Sequence, residues 1–173
     1  MACSMRDRVP LIAPARLTDQ HERATFDCGS PPLNDFLRKY ALQNQKKGTS
    51  VTYVAARGRF VVGYYTLAYG SVAYAEATER VKKGIGRYPI PVMLLARLAV
   101  DQSEKGLGLG RALLKDALTR TLQAVDIAGL RAILVHAKDE EAKAYYQRFD
   151  FEPSPTDPYH LMLTIEQIKA NLR

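Results

Sequence analysis

The chain has 173 residues, of which 47% are hydrophobic and 25% are charged, and these values indicate a globular domain rather than a disordered chain. No apolar run is long enough to span a membrane, residues 1–10 lack the apolar core of a signal peptide, and the two cysteines fit neither a disulfide framework nor a zinc site. The formal net charge of +7 suits an anionic partner, such as a nucleic acid or a phosphorylated cofactor, although many small domains carry such a charge for solubility alone. We therefore expect a single cytoplasmic domain over residues 1–173, with a loose N-terminus at residues 1–10.

The first half of the chain predicts three strands and one amphipathic helix. Residues 11–17 predict a strand, which Pro14 confines to a sheet edge or an irregular piece. Residues 30–46 predict a helix, because a serine suited to capping precedes one apolar stripe. The stripe consists of Leu33, Phe36, Leu37, Tyr40 and Ala41. Two runs rich in β-branched and aromatic residues, 50–56 and 60–69, predict an antiparallel hairpin.

The second half of the chain predicts strands and helices in alternation. In chain order they are a short helix (75–83), a buried strand (93–100), a helix (113–125), a strand (131–137), a helix (139–149) and two last strands (151–152 and 160–165). The whole order is β-α-β-β-α-β-α-β-α-β-β. It predicts an α/β fold with one mixed sheet that carries helices on both faces.

A glycine-rich turn, Lys-Gly-Leu-Gly-Leu-Gly-Arg, joins the buried strand to the helix that follows. Glycines allow close approach of the backbone to a ligand, and the start of a helix directs N–H groups and the positive end of its dipole at whatever lies there. Such a turn binds phosphates, and Lys105 and Arg111 add two cations. The turn matches neither a Walker loop nor a dinucleotide fingerprint, so a plain glycine turn before a helix is the alternative.

Two motifs resemble those of the GNAT acetyltransferase family. Residues 105–110 are similar to the family's cofactor motif, Gln/Arg-x-x-Gly-x-Gly/Ala, with Lys105 in place of the usual first residue. Residues 144–151 resemble its Phe-Tyr-x-x-x-Gly-Phe signature, with Asp150 where glycine is usual. The resemblance covers most of the chain and implies a mostly antiparallel, splayed central sheet.

Further stretches are similar to the toxin branch of this family; they are residues 89–101, 136–137 and 152–155. Members of that branch acetylate the α-amino group of aminoacyl-tRNA, inhibit translation and are neutralised by a ribbon-helix-helix antitoxin. The resemblance therefore implies an acetyl-CoA-dependent N-acetyltransferase, a toxin of a type II toxin–antitoxin system, which forms a homodimer. The alternatives are a GNAT enzyme that acts on a small-molecule amine or a protein N-terminus, and a non-catalytic module that binds CoA or RNA.

The resemblance also implies the residues that bind acetyl-CoA. Amides at the start of the helix would bind the pyrophosphate, and the main chain of the buried strand would pair with the pantetheine arm, as in strand addition. The implied residues are Leu98, Ala99, Val100, Lys105, Gly106, Leu107, Gly108, Leu109, Gly110 and Arg111. A plain core strand is the alternative for residues 98–100, and both interpretations hold together.

Tyr146 corresponds to the general-acid tyrosine of the family. Acyl transfer to an amine releases a thiolate, and a positioned tyrosine hydroxyl can protonate it. Tyr145 is the fallback, and packing against the core is the alternative for either residue. Residues 93–100 carry no carboxylate that would serve as a general base. An α-amino group, with a pKa of about 7.7–8.0, needs such a base less than a lysine does, which favours an aminoacyl ester as the substrate.

Basic residues are the candidate contacts for tRNA. Arg97 lies beside the expected reaction centre and has two interpretations: contact with the substrate, or pairing with a buried carboxylate. Phosphate contacts are predicted at Arg80, Lys82, Lys83 and Arg87, and further loop cations lie at Lys46, Lys47, Arg57 and Arg59. A solvated basic rim is the alternative for each. No set of metal ligands is predicted.

Overall fold

A computed structural model describes residues 9–173, so most of the predicted loose N-terminus lies outside the described residues. The strands are β1 (Leu11–Arg16), β2 (Val51–Arg57), β3 (Phe60–Val72), β4 (Ile90–Val100), β5 (Ala132–His136), β6 (Glu152–Pro153) and β7 (His160–Thr164). They form one seven-stranded sheet in the order β1-β2-β3-β4-β5-β7-β6. The β4–β5 pair is parallel, whereas β1–β2, β2–β3, β5–β7 and β6–β7 are antiparallel. The predicted α/β fold with a mixed, mostly antiparallel sheet is confirmed.

The helices follow the predicted order, with breaks that the sequence pattern did not indicate. They are α1 (Pro31–Asp35), a π-helical segment (Phe36–Tyr40), α2 (Ala41–Lys46), α3 (Glu79–Lys82), α4 (Leu109–Val125), α5 (Glu140–Gln147) and α6 (Ile165–Asn171). The helix predicted at 75–83 is a 3₁₀ turn, Tyr74–Glu76, and the separate α3, because Ala77 between them is extended. Within residues 9–173 no helix combines the length and the apolar character that a membrane span needs.

The chain forms two compact units. The first comprises the described residues up to Leu67 together with Arg97–Asp116, and the second comprises Ala68–Ala96 together with Ala117–Arg173. Strands β3 and β4 and helix α4 contribute residues to both units.

The first unit contains the β1–β2–β3 strands and the helix predicted at 30–46. The register of β1 shifts between Ile12 and Ala15, around Pro14, so the predicted irregular edge strand is confirmed. The predicted hairpin is also confirmed, with Val51 opposite Leu67 and Arg57 opposite Phe60. The buried core of this unit includes Leu17, Phe26, Leu37, Ala41, Val54 and Tyr64.

One member of the predicted helical stripe, Tyr40, is 53% exposed. The cause is the π-helical segment, in which the N–H of Ala41 donates to the carbonyl of Phe36. This wider turn contains one residue more than an α-turn and rotates the following side chains relative to a spacing of 3.6. The prediction that Tyr40 lies on the apolar face is therefore wrong, whereas Phe36, Leu37 and Ala41 are buried as expected.

The second unit contains the parallel pair β4–β5 and the strands β7 and β6. The β4–β5 register extends from Val92 opposite Ala132 to Leu95 opposite Val135. Strand β4 continues to Val100, beyond the part that is in register with β5. Residues 93–100 were predicted to be covered on both faces, but only Met93, Leu95 and Ala99 among them are buried. The partial exposure of the remainder is consistent with the splayed sheet that the resemblance implied.

Candidate active site

The glycine-rich turn precedes α4 in the first unit and requires glycine at two positions. Gly106 has φ of 81° and Gly108 has φ of 84°, a region that L-residues other than glycine seldom adopt. A Cβ at either position would meet no heavy atom within 4 Å, so the backbone conformation and not lack of space makes glycine necessary. The turn is exposed, and its most exposed apolar residue is Leu107, at 72%. The turn is therefore open to a ligand.

Helix α4 begins at Leu109, within the glycine-rich turn. The N–H of Ala112 donates to the carbonyl of Gly108 over 3.1 Å, which makes it the first helical hydrogen bond of the turn. The N–H groups that precede it lack an intrahelical acceptor by the geometry of any helix, and the helix dipole is positive there. Arg111 is exposed on this turn. Donors and a cation suited to an anion are thus placed together.

Gly63 of β3 brings the start of α4 close to the sheet. A Cβ at Gly63 would lie 2.9 Å from Leu113 Cδ1, 3.1 Å from Leu109 Cδ2 and 3.4 Å from the carbonyl oxygen of Ala99. A side chain at this position would therefore require Leu113 and Leu109 to shift. Gly63 was not among the predicted site residues, although a glycine inside a run of β-branched and aromatic residues often marks a close approach of another group.

A bulge beside Gly63 positions the end of β4. Ala55 of β2 lies opposite Gly63 and Ala56 lies opposite Val61, which leaves Val62 as the extra residue of β3. The carbonyl of Val62 accepts a hydrogen bond of 2.8 Å from the N–H of Asp101, the residue that follows β4. The bulge therefore holds the point at which β4 ends and the glycine-rich turn begins.

The Asp101 carboxylate is buried and organises the polypeptide before the glycine-rich turn. It accepts hydrogen bonds from the N–H of Asp27 over 2.9 Å, from the N–H of Ser103 over 3.0 Å and from the Ser103 hydroxyl over 2.7 Å. The Asp27 carbonyl in turn accepts from the N–H of Gln102 over 2.9 Å. These bonds connect the turn at residues 27–29, which precedes α1, to the turn that precedes α4.

Lys105 extends this connection. Its ammonium donates a hydrogen bond of 2.8 Å to the carbonyl of Cys28. A Cβ at Gly29 would lie 3.0 Å from Gln102 Nε2 and 3.8 Å from Lys105 Nζ, and Gly29 has φ of 87°. The lysine that departs from the family motif is thus bound to the main chain of the 27–29 turn, and its predicted contact with a pyrophosphate stays a prediction.

Glu104 forms a buried ion pair with Arg57 beside the same turn. Arg57 Nε lies 2.6 Å from Glu104 Oε1 and Arg57 Nη2 lies 3.2 Å from Oε2, while Nη1 donates to the carbonyl of Val9. A bidentate pair of this kind is strong and directional. Arg57 thus binds the residue that precedes Lys105, and its predicted phosphate contact stays a prediction.

Arg97 lies on an aromatic pair. Its guanidinium carbon is 3.9 Å from the centroid of the Phe36 ring, a cation–π distance. Phe36 stacks on Tyr64, with centroids 6.3 Å apart, and the Tyr64 hydroxyl donates to the carbonyl of Leu33 over 2.7 Å. Burial raises the pKa of Tyr64, which keeps this hydroxyl protonated. Within residues 9–173 no carboxylate forms an ion pair with Arg97, so the predicted pairing with a buried carboxylate is not the arrangement that the structure has.

Tyr146 lies on α5 in the second unit. The helix begins after Asp139, whose carboxylate accepts from the N–H of Ala142 over 2.8 Å. The Tyr146 ring is buried and packs edge-on against Tyr145 and Phe151, with centroids 5.4 Å and 5.5 Å away. Burial, and to a smaller extent Tyr145, raises the pKa of Tyr146, so the hydroxyl keeps its proton at neutral pH. Tyr146 therefore has the protonation state that a general acid needs.

Asp150 has a left-handed backbone conformation, which accounts for the glycine that the family signature usually has at this position. Its φ is 71°, and in the described part of the chain no other non-glycine residue has a positive φ. The turn that it makes lets the N–H groups of Phe149 and Phe151 both donate to the carbonyl of Tyr146. Aspartate is one of the few residues that tolerate this conformation, and its carboxylate also accepts from Asn171 over 3.2 Å.

The predicted phosphate contacts lie together in the second unit, on residues 80–88, which we name the basic segment. Arg80 forms an exposed ion pair with Glu152 over 2.8 Å, and the half-buried Lys82 forms an ion pair with the exposed Glu79 over 3.6 Å. Lys83 and Arg87 are exposed. The segment thus presents its cations on one stretch of chain, although two of them already have carboxylate partners.

Arg131 holds the basic segment in place. Its Nε donates to the carbonyl of Val81 over 2.9 Å and its Nη2 donates to that of Arg80 over 3.0 Å, while Nη1 lies 2.6 Å from a carboxylate oxygen of Glu166. Burial alone would raise the pKa of Glu166, but the hydrogen bond and the charge of Arg131 prevail and lower it. Arg131 was not singled out from the sequence, because its contacts come from elements far apart in the chain.

The described residues contain no group of three or more His, Cys, Asp or Glu side chains that could hold a metal ion. The first unit offers main-chain amides and cations at the glycine-rich turn, and the second unit offers a buried, protonated tyrosine at Tyr146.

These features define the class of an acyltransferase, and comparison with known proteins identifies the family. Residues 48–153 match the model of the GNAT acetyltransferase domain. The chain is also 52% identical over 158 residues to a tRNA-acetylating toxin of Mycobacterium tuberculosis, a match that covers 91% of this chain and 95% of that protein. The chain therefore belongs to the GNAT acetyltransferase family, as the two motifs predicted.

Two solved structures of relatives are similar over nearly the whole chain. The AtaT toxin complexed with acetyl-methionyl-tRNAfMet has a TM-score of 0.87 and 28% identity, over 95% of this chain and 100% of that one. A tyrosine-to-phenylalanine mutant of AtaT, bound to the C-terminus of the antitoxin AtaR and to acetyl-CoA, has a TM-score of 0.78 and 29% identity, over 93% of this chain and 97% of that one.

Proposed function

We propose that this protein is the toxin of a type II toxin–antitoxin system, and that it uses acetyl-CoA to acetylate the α-amino group of an aminoacyl-tRNA and so inhibits translation. The observation that carries this proposal is the 52% identity, over 91% of the chain, to a tRNA-acetylating toxin. The AtaT structures with an acetylated aminoacyl-tRNA and with acetyl-CoA support the substrate and the co-substrate.

The first unit supplies the groups that bind acetyl-CoA in this proposal. The amides from Leu107 to Arg111 bind the pyrophosphate, assisted by the Arg111 guanidinium and by the helix dipole. The main chain at Leu98, Ala99 and Val100 pairs with the pantetheine arm, which is supported by the extension of β4 beyond its register with β5. Lys105 assists by holding the turn to Cys28.

Tyr146 is the general acid in this proposal. Acetyl-CoA supplies the acetyl group as a thioester: the amine nitrogen bonds to the carbonyl carbon, the carbon–sulfur bond breaks, and the sulfur leaves as a thiolate. Tyr146 transfers its hydroxyl proton to that sulfur, and the proton that the new amide nitrogen loses restores the hydroxyl through water. The assignment is supported by the match of Tyr146 to the tyrosine of the family signature. Burial raises the pKa of Tyr146, which keeps the hydroxyl protonated until the thiolate forms and also makes it a weaker proton donor.

No carboxylate on β4 serves as a base in this proposal, and the substrate explains why none is needed. An α-amino group has a pKa of about 7.7–8.0, whereas a lysine amine has one of about 10.4. A substantial part of the α-amino group is therefore neutral and nucleophilic at cellular pH. Arg97, on the ring of Phe36, is positioned as a donor to the aminoacyl ester or the RNA end.

The basic segment binds tRNA phosphates in this proposal, through Arg80, Lys82, Lys83 and Arg87, and the formal charge of +7 favours such a partner. We further propose that the chain is one acetyltransferase domain, since the matched residues 48–153 include parts of both units. We also propose that the protein is cytoplasmic. A homodimer and a ribbon-helix-helix antitoxin complete the proposal; an AtaT structure that includes the C-terminus of AtaR supports an antitoxin partner.

Incubation of the purified protein with acetyl-CoA and charged tRNA tests the function. We expect an N-acetylated amino acid, detected by mass spectrometry after hydrolysis of the ester, and no product with uncharged tRNA. If no charged tRNA is acetylated while a free amine or a protein N-terminus is, the alternative substrate class is correct. If no amine of any kind is acetylated, the enzymatic assignment itself is wrong.

A further inference from the structure

Tyr88 of the basic segment presents an open aromatic face. It is 76% exposed. A Cβ at Gly86 would lie 3.0 Å from Tyr88 Cε2 and 3.1 Å from Tyr88 Cδ2, so the ring lies directly on the Cα of Gly86. The N–H of Tyr88 also donates to the carbonyl of Gly86 over 2.8 Å, which closes a tight turn. One part of the ring is therefore supported by the backbone while the rest is open to solvent.

Several cations lie near Tyr88 in the sequence of the basic segment. Lys83 and Arg87 are exposed on either side of Gly86 in sequence. The guanidinium carbon of Arg87 lies 5.9 Å, and Lys82 Nζ lies 5.3 Å, from the centroid of the Tyr74 ring. A shallow pocket beside them is lined by Tyr74, Glu79, Lys82, Lys83, Gly84, Ile85 and Gly86. The one carboxylate in that lining, Glu79, is paired with Lys82, so the net charge of the lining is positive.

The part of the basic segment that precedes the ring is held by hydrogen bonds. Arg131 binds the carbonyls of Val81 and Arg80, and the N–H of Ile85 donates to the carbonyl of Lys82 over 2.9 Å. A ring and cations that are ordered before binding lose less conformational entropy when a ligand arrives.

We propose that Tyr88, supported by Gly86, is a stacking platform for an unpaired nucleotide of RNA, and that Lys83 and Arg87 bind the phosphates beside it. An exposed aromatic ring within a run of cations is the combination that binds single-stranded nucleic acid, because every base has a face that stacks. The positive charge of the basic segment favours RNA, which is a polyanion, over a protein partner. The proposal rests on the proposed function, in which the substrate is an RNA with an unpaired 3′ end. It assigns residues that hold an unpaired nucleotide before the terminal one, because extended strand β4 separates Tyr88 from Arg97 by about 3.3 Å per residue.

The test is a fluorescence titration of the full chain with a short single-stranded RNA that ends in CCA and carries 2-aminopurine as the base before CCA. Stacking on Tyr88 quenches the fluorescence. We expect Tyr88→Ala to weaken binding about 5- to 150-fold, the effect of losing one base–aromatic stack, and Tyr88→Phe to stay within about twofold of wild type. Gly86→Ala keeps the tyrosine but displaces its ring, and we expect it to weaken binding as well.

Two control variants distinguish the effect of base stacking from the effect of charge and from the effect of removing any exposed tyrosine. Tyr40→Ala removes another exposed tyrosine, in the first unit, and we expect no change in affinity. Arg87→Ala should lower the slope of log affinity against log salt concentration by about 0.7, the value for one phosphate of a single strand, whereas Tyr88→Ala should leave the slope unchanged. Three results would each contradict the proposal that Tyr88 is a stacking platform. They are no quenching with wild type, wild-type affinity in Tyr88→Ala, and an equal loss of affinity in Tyr40→Ala.

The titration does not depend on catalysis, so the two proposals fail separately. If wild type acetylates aminoacyl-tRNA but Tyr88→Ala binds the RNA as wild type does, only the platform is wrong. If no charged tRNA is acetylated while Tyr88→Ala and Gly86→Ala lose affinity and quenching, only the proposed function is wrong.

Discussion

The ammonium nitrogen of Lys105 lies 2.8 Å from the main-chain carbonyl oxygen of Cys28. This hydrogen bond connects the glycine-rich turn before α4 to the turn before α1, and the N–H of Gln102 makes a parallel connection to the carbonyl of Asp27. The residue that departs from the family's cofactor motif thus has a structural contact of its own.

Lys105→Met should therefore affect the protein even without acetyl-CoA. We expect the free energy of unfolding to fall by about 0.5–1 kcal/mol, since a hydrogen bond to a charged donor at a partly exposed site is lost. Urea denaturation of the ligand-free protein measures this change, and Lys105→Arg, which keeps a donor, is the matched control. Unchanged stability combined with weaker acetyl-CoA binding would mean that Lys105 contacts only the ligand.

Gly63→Ala should displace the start of α4. The new Cβ would lie 2.9 Å from Leu113 Cδ1 and 3.1 Å from Leu109 Cδ2, and overpacking of this kind costs about 1–3 kcal/mol. We expect a higher KM for acetyl-CoA, because the amides that bind the pyrophosphate move with the helix.

Gly70→Ala on the same strand is the matched control for this change. There the nearest heavy atom, Val92 Cγ2, is 3.9 Å from the new Cβ, an ordinary contact. We expect the KM for acetyl-CoA to be unchanged. Similar KM values for the two variants would show that the close packing at Gly63 does not position the turn.

Tyr146→Phe should lower kcat by about 10²–10⁴-fold, the usual contribution of a general acid, while the protein stays folded. The substitution removes only a hydroxyl from a ring whose packing against Tyr145 and Phe151 is retained. Steady-state kinetics with aminoacyl-tRNA measure the effect. Tyr145→Phe is the control, and a larger loss in that variant than in Tyr146→Phe would transfer the role to Tyr145.

Stability should decrease at alkaline pH because of Tyr64 and Tyr146, whose pKa values burial raises. Below about pH 10 both the folded and the unfolded chain keep these protons, so the stability is fully present. Above that pH the unfolded chain ionises first, and stability is lost at up to about 1.4 kcal/mol per pH unit for each tyrosine. Denaturation between pH 8 and pH 11 measures this slope, and Tyr146→Phe should flatten it; an unchanged slope in that variant would contradict the assignment.

Asp150→Gly and Asp150→Ala should differ in stability. Alanine adopts a φ of 71° only at a cost of about 1–2 kcal/mol, whereas glycine adopts it freely. We expect Asp150→Ala to unfold more easily than Asp150→Gly by about that amount in thermal or urea denaturation. Asn171→Ala, which removes only the hydrogen bond to the Asp150 carboxylate, serves as the control. Equal stability of the two Asp150 variants would mean that the left-handed conformation imposes no cost.

Much of the fold followed from local rules. The hairpin, the irregular edge strand at Pro14 and the order of strands and helices depend on side-chain periodicity and on the fixed φ of proline, which act over a few residues. The exposure of Tyr40 did not follow, because a π-helical turn arises from the packing of the helix as a whole.

The sequence by itself determined the glycine-rich turn and the family signature. Gly106 and Gly108 are needed for their own φ values, and the tyrosine of the signature is recognisable from its immediate neighbours. Tertiary structure alone decided that Gly63 makes room for α4, that Arg97 lies on Phe36, and that Arg131 holds the basic segment. The physical reason is that backbone conformation is a property of neighbouring residues, whereas close approach, ring contact and capping of carbonyls depend on groups that only the folded chain brings within a few ångströms of one another.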